Sequence, residues 1–185
     1  NSIFVRANQH LSDIAELINF PLPEDLVESI NKSKLSLEQL WDSYSNQYYS
    51  KNYVTNKLIR VPSIGTLLPL YAGTISKDRA AKLVAMLHDK NMFDSTYPVA
   101  SVPVGAKEFS PLRYWQGPTW VNTNWLIIDG LERYGYKEEA LRLRQQTVSL
   151  VEESDFYEYF SPLDGTPAGA KDFSWTAALI IDLLS

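Results

Sequence analysis

The chain has 185 residues, 45% hydrophobic and 21% charged, with a net charge of −5. That suits one domain or a large piece of one. The acidic balance and the lack of any basic run argue against nucleic acid or an anionic membrane surface as partner. No cysteine is present, so disulfides, thiolate catalysis and cysteine-bound zinc are excluded. No apolar run reaches membrane-spanning length and no signal peptide opens the chain, so a cytoplasmic location is expected. The first residue is Asn1 and a helical pattern is already under way by residue 3, which suggests a fragment or a processed piece.

In chain order, Phe4, Ala7, Leu11, Ile14 and Ile18 step by three and four, the stripe of an amphipathic helix over 3–18. Pro23, Glu24 and Asp25 look like the first turn of a second helix. Ser36-Leu37-Glu38-Gln39 has the form of a capping box, with Leu35 and Leu40 as its staple, and predicts another helix through Trp41 to about Tyr44. The period then changes, and a short hairpin is expected at about 47–61 around Thr55-Asn56-Lys57.

A short apolar helix should end near Gly73. Ser76 should cap the next, whose stripe is Ala80, Leu83, Val84 and Leu87. Residues 89–117 read as loop. Residues 119–134 are apolar on most sides, so that helix should be buried, with Gly135 as its C-cap. A more polar partner follows at 137–152, with the stripe Ala140, Leu143, Thr147 and Leu150, and an apolar helix closes the chain at 174–184. Helix pairs of this kind, one member apolar and its partner amphipathic, are what an inner and an outer ring of helices require. No clean internal repeat and no low-complexity tract is visible.

Five Trp and eleven Tyr are the unusual feature. Their flat faces match the C–H faces of sugar rings, and their polar tips want partners. Glu158 sits among Phe156, Tyr157, Tyr159 and Phe160. It either points to solvent from a strand or faces a pocket walled by indole rings, where a carboxylate could act as a general base. In RYWQGPTWVNTNW, residues 113–125, rings and amides gather at one end of an apolar helix. That is either a core-forming helix start or a site wall. Asn124 is one turn from Trp120 on the same face. Asp172 or Ser174 could cap the last helix, with Trp175 in its first turn. His10 and His88 stand alone, so no metal site is expected, and no phosphate loop or dinucleotide fingerprint is present, so no cofactor is expected.

Three blocks taken together resemble the C-terminal half of the catalytic domain of glycoside hydrolase family 63: YWQGPTWVNTNW, GLERYGY and FYEYFSPLDGTPAGAKDFSWTAAL. KLIRVPSIGTLLPLYAG supports the likeness, which is closest to the branch containing mannosylglycerate and glucosylglycerate hydrolases. The resemblance implies an all-α fold, the second half of an (α/α)6 barrel with a short β-hairpin, filling residues 1–185. It implies hydrolysis of α-glycosidic bonds with inversion. It places the general base at Glu158 and the pocket for the cleaved sugar at Tyr114, Trp115, Gln116, Gly117 and Trp120, with Trp175 as a further wall. Many relatives carry Arg where this chain has Gln116, a neutral amide that can hydrogen-bond hydroxyls but brings no charge.

Inverting glycosidases need a second carboxyl group. In this family it is an Asp in a tryptophan-rich loop of the first half of the barrel, and nothing before residue 40 matches it; Asp42 falls too late. The expected partners are therefore a small sugar or glycoside and the N-terminal half of the barrel, or another chain covering its edge. The alternative is a non-catalytic saccharide-binding or scaffold fragment of the same fold. A sugar epimerase would need loop histidines that are missing here, and a purely structural helical protein leaves the loop aromatics unexplained.

Overall fold

The structure, a computed structural model, describes residues 1–185. It is mostly helical, with seven α-helices and three two-stranded antiparallel pairs. No helix is long and apolar enough to cross a membrane. Helices α1 (Ser2–Leu17) and α2 (Glu24–Glu38) form the first hairpin. Strand β1 (Trp41–Asp42) pairs with β2 (Gln47–Tyr48), and β3 (Ser50–Lys51) pairs with β4 (Leu58–Ile59). Helices α3 (Pro69–Ala72) and α4 (Lys77–Ala85) precede a long loop. Helices α5 (Val121–Arg133) and α6 (Lys137–Ser154) lead to the hairpin β5 (Tyr157–Phe160) and β6 (Pro167–Lys171), and α7 (Ser174–Leu184) closes the chain.

Helix α5 is the centre of the core. It packs against α3, α6 and α7, and Val121, Ile127, Ile128 and Leu131 are buried. Its apolar surround in sequence is what allows three helices to cover it. Trp125 Nε1 donates to Asp182 Oδ2 at 2.6 Å, tying α5 to α7 at the rim. Helix α6 buries Ala140, Leu143, Thr147 and Leu150, the expected stripe. The caps at Gly73, Ser76 and Gly135 are also as expected: both glycines are left-handed, and Ser76 Oγ accepts from Arg79 N at 3.3 Å.

Four local expectations fail. The Ser36 capping box does not start a helix. Helix α2 runs unbroken through Glu38, and Ser36 Oγ donates back to the Lys32 carbonyl at 2.8 Å. Nothing breaks the helix before Ser36, so its hydroxyl serves a turn already made. Trp41 and Tyr48, both good strand formers, pair instead, with rings edge-to-face at 4.9 Å. The hairpin expected at 47–61 narrows to β3–β4 with Asn56 left-handed in its turn, and β1–β2 and β5–β6 form two separate pairs elsewhere in the chain. Neither Asp172 nor Ser174 caps α7. Phe173 takes that position with no side-chain bond, and Asp172 turns the chain with φ +56°.

The fourth concerns α1. Its expected stripe faces outward: Phe4 is 60% exposed and Ile14 54%, while Val5, Arg6, Asn8 and Ala15 face inward. Periodicity locates an apolar face but does not say which neighbour covers it.

Candidate functional site

Three segments far apart in sequence meet at one end of α5. Thr119 bridges Ala100 on one side and Phe160 on the other, giving a short ribbon that continues into β5 and β6. Thr119 N donates to the Phe160 carbonyl at 2.8 Å, and Phe160 N returns the bond at 3.0 Å. This pairing keeps residues 118–120 extended, so α5 begins at Val121 rather than at 119. Thr176 Oγ1 donates to the Tyr157 carbonyl at 2.7 Å and ties β5 to α7.

The ribbon puts Trp120 beside Tyr159, ring centroids 4.9 Å apart. Trp115 stacks flat on Trp120 at 4.1 Å, and Tyr114 meets Trp115, Trp120 and Tyr159 edge-on. Ring pairs in these geometries each add about 0.5–1.5 kcal/mol beyond the area they bury. The loop that carries them is tightly wound. Ser110 N donates to the Gln116 carbonyl and Gln116 N to the Arg113 carbonyl, each at 2.7 Å, and Tyr114 sits at φ +41° between them. A bulky residue is rare in that region. Gly117 lies so close to the Ser110 backbone that a Cβ would overlap its carbonyl, and Gly117 N donates to Ser101 Oγ at 3.0 Å.

Glu158 is half-buried at the edge of this ring cluster. The Tyr114 hydroxyl donates to Oε1 at 3.2 Å, and Ala170 N donates to Oε2 at 3.1 Å. A carboxylate has about four acceptor sites, so each oxygen keeps one free. Burial, and then the negative charge of Glu158, push the Tyr114 phenol above its ordinary value, so it stays protonated and remains a donor. Its single O–H is committed to Glu158. Towards a further hydroxyl it can therefore only accept.

The surroundings are an open shelf rather than a closed cavity. Trp120 is 2% exposed, but Trp115 above it is 43% exposed and offers one flat face to solvent. The Gln116 side chain is exposed beside it. Trp175 is 55% exposed and packs against Phe173, centroids 5.5 Å apart, rather than against the Trp115–Trp120 stack. Asn124 is not part of the shelf. It is fully buried, where it accepts from Val99 N and donates to the Pro98 carbonyl and Thr147 Oγ1, fixing the strand-like segment beside Thr119.

Tyr159, Ser101, Gly169 and Ala170 complete the arrangement and were not singled out in the sequence. A glycine inside a strand-like run was the available signal for Gly169, since it often marks a bulge or a close approach. No group of three or more His, Cys, Asp or Glu side chains is arranged to hold a metal.

Two acids outside this cluster, Asp42 and Asp164, lie below the ordinary carboxylate value. The Ser45 hydroxyl and then Arg60 lower Asp42, and the Ser161 side chain lowers Asp164. A general acid needs the opposite shift.

The family model for the mannosylglycerate hydrolase MGH1-like glycoside hydrolase domain matches residues 1–176. A mannosylglycerate hydrolase from Thermus thermophilus is 36% identical over 98% of this chain and 43% of its own length. A glucosylglycerate hydrolase from Mycolicibacterium hassiacum is 27% identical over 100% of this chain and 43% of its own length. A crystal structure of the GH63 mannosylglycerate hydrolase from Thermus thermophilus, in complex with Tris and D-glycerate, matches with a TM-score of 0.94. It is 35% identical, and the match covers 100% of this chain and 45% of that one. The chain thus spans less than half the length of the relatives it matches. With the family model covering nearly every residue, the chain belongs to the MGH1-like glycoside hydrolases of family 63.

Proposed function

We propose that this chain is the C-terminal part of an inverting α-glycosidase of the mannosylglycerate and glucosylglycerate hydrolase type, and forms the second half of an (α/α)6 toroid. It supplies the general base and part of the sugar pocket. The observation that carries this is the setting of Glu158: a carboxylate with two donors on it and two acceptor sites free, one donor being Tyr114, whose ring packs edge-on against the Trp115–Trp120 stack.

In this reading Glu158 takes a proton from a water whose oxygen attacks the anomeric carbon. The bond to the leaving oxygen breaks on the opposite face, and a second carboxylic acid protonates that oxygen. Inversion requires the two carboxyl groups to lie roughly 6.5–9.5 Å apart, leaving room for the water. Asp42 and Asp164 are unsuited to be the acid because their neighbours stabilise the anion. The likeness to family 63, whose general acid lies in the first half of the barrel, puts the acid and the rest of the pocket outside these 185 residues. Trp115 gives the sugar a flat apolar face, Gln116 hydrogen-bonds hydroxyls, and Trp175 forms an outer wall once the remaining part of the domain is in place.

Glu158→Gln in the complete hydrolase should lower turnover of mannosylglycerate or glucosylglycerate by about 10²–10⁴-fold while leaving saccharide binding nearly intact. Turnover at the wild-type rate would remove Glu158 from the mechanism. A second reading, saccharide binding without hydrolysis, is favoured by the openness of the shelf, since an exposed Trp115 can stack on a sugar without any chemistry. It predicts that the isolated chain binds glucose or mannosylglycerate and releases no product.

A further inference from the structure

Strands β5 and β6 do not pair regularly. Tyr157 lies opposite Lys171 and Tyr159 opposite Ala168, so the single residue Glu158 faces two residues, Gly169 and Ala170. That is a β-bulge, which leaves the extra residue out of the ladder and re-aims the groups around it. Gly169 has φ +78°, open to glycine and strained for any other residue. A Cβ at this position would fall 2.6 Å from Glu158 Oε2, 2.7 Å from Glu158 Cβ and 2.8 Å from Tyr159 Cε1. No real Cβ fits there. The amide of Ala170, released from the ladder, instead donates to Oε2.

We infer that Gly169 is a positioning residue: the bulge it permits aims the Ala170 amide at Glu158 and, with Tyr114, forms a two-donor seat that fixes the carboxylate. Each donor takes a different oxygen, so the carboxylate plane is held at two points and cannot rotate without losing one of them. The free acceptor site on each oxygen is left in a fixed direction, one for a water and one for a hydroxyl of the substrate. An ordinary strand residue at 169 would place a side chain where the carboxylate now lies. The catalytic meaning of the seat rests on the proposed role of Glu158 as general base; its geometry does not.

The Ala170 amide resonance of the ¹⁵N-labelled chain reads the seat directly. A proton donated to a carboxylate resonates downfield, so Glu158→Gln should move it upfield. Gly169→Ala should move it the same way, because the new methyl displaces the carboxylate. Gly135→Ala is the control: Gly135 has a similar φ of +82° but nothing within 4 Å of its would-be Cβ, so it carries the backbone strain alone and should leave Ala170 unmoved. If Gly169→Ala fails to fold, Glu158→Gln together with Tyr114→Phe tests the same seat, since removal of the phenol frees one oxygen and shifts the amide bound to the other.

An Ala170 resonance indifferent to Glu158→Gln, or moved as far by Gly135→Ala as by Gly169→Ala, would overturn the inference. If Ala170 responds as described but Glu158→Gln in the complete hydrolase keeps the wild-type turnover, the seat stands and the base reading falls. If Glu158→Gln in the complete hydrolase loses turnover but Ala170 ignores every substitution, the base reading stands and the seat falls.

Discussion

Helices α5 and α1 are both rich in apolar residues, yet they end in opposite settings. Helix α5 is covered by α3, α6 and α7, and its branched side chains are buried. Helix α1 packs on α2 and α3 with one flank and turns Phe4, Ile14, Leu17 and Ile18 to solvent. Its inward face holds Ser2, Arg6 and Asn8, with the Arg6 Nε left without a partner. The contrast separates two properties that a hydrophobic period merges: having an apolar face, and having that face covered within the chain. Isolated exposed apolar residues need no explanation, but a row of them along one helix does. Under the proposed half-toroid, the remaining part of the domain covers α1.

The largest expected effect lies in the covered helix. Leu131→Ala removes a fully buried side chain from α5 and should cost about 2–5 kcal/mol in a denaturant melt. Ile14→Ala on α1 should stay within about 0.5 kcal/mol, because it uncovers nothing. Equal losses would erase the contrast. Asn124→Ala should follow, costing about 1–3 kcal/mol, because Val99 N and the Pro98 carbonyl lose their partner while Thr147 keeps its bond to the Leu143 carbonyl.

A smaller effect belongs to Tyr48 on β2, in a network with Glu38 of α2 and Arg79 of α4. Burial pushes its phenol from 10.0 to about 12. Because the folded value is the higher one, the unfolded chain loses this proton first. The stabilisation is fully present below pH 10 and is lost as pH rises towards 12. Melting curves recorded across that window should fall more steeply for the wild type than for Tyr48→Phe. The smallest effect on stability should come from Phe4→Ser with Ile14→Ser, which should leave the melt nearly unchanged and lower any concentration-dependent association seen by sedimentation.

Much of the helical order was legible because it depends on local signals. Ser76 as N-cap, Gly73 and Gly135 as C-caps and the stripes of α5 and α6 all act within a turn or two. The failure at Ser36 comes from a group with two possible employments, where a hydroxyl can cap a new helix or bond back within an old one, and at Asp172 the chain turns and leaves the cap position to Phe173. At the site, Tyr114, Trp115, Trp120 and Glu158 were legible as residue types, and the structure brings these four together. Trp175 stands apart with Phe173, and Gln116 reaches into solvent. What sequence did not disclose is how the parts meet: Thr119 bridging Ala100 and Phe160, the bulge at Gly169 and Ala170, and the commitment of the Tyr114 proton to Glu158. Each depends on partners dozens of residues away or on a register shift of one residue, and neither leaves a periodic trace.

The role of Glu158 in a sugar site is tested most directly by titrating the ¹⁵N-labelled chain with glucose and following the Trp115 indole and the Ala170 amide, in wild type and in Glu158→Gln. Both resonances should move together and saturate in the wild type, and Ala170 should lose its response in the variant while Trp115 keeps its own. Saturable shifts elsewhere in the chain with both of these unmoved would contradict the assignment of Glu158 and its indole stack as the place where the sugar is held.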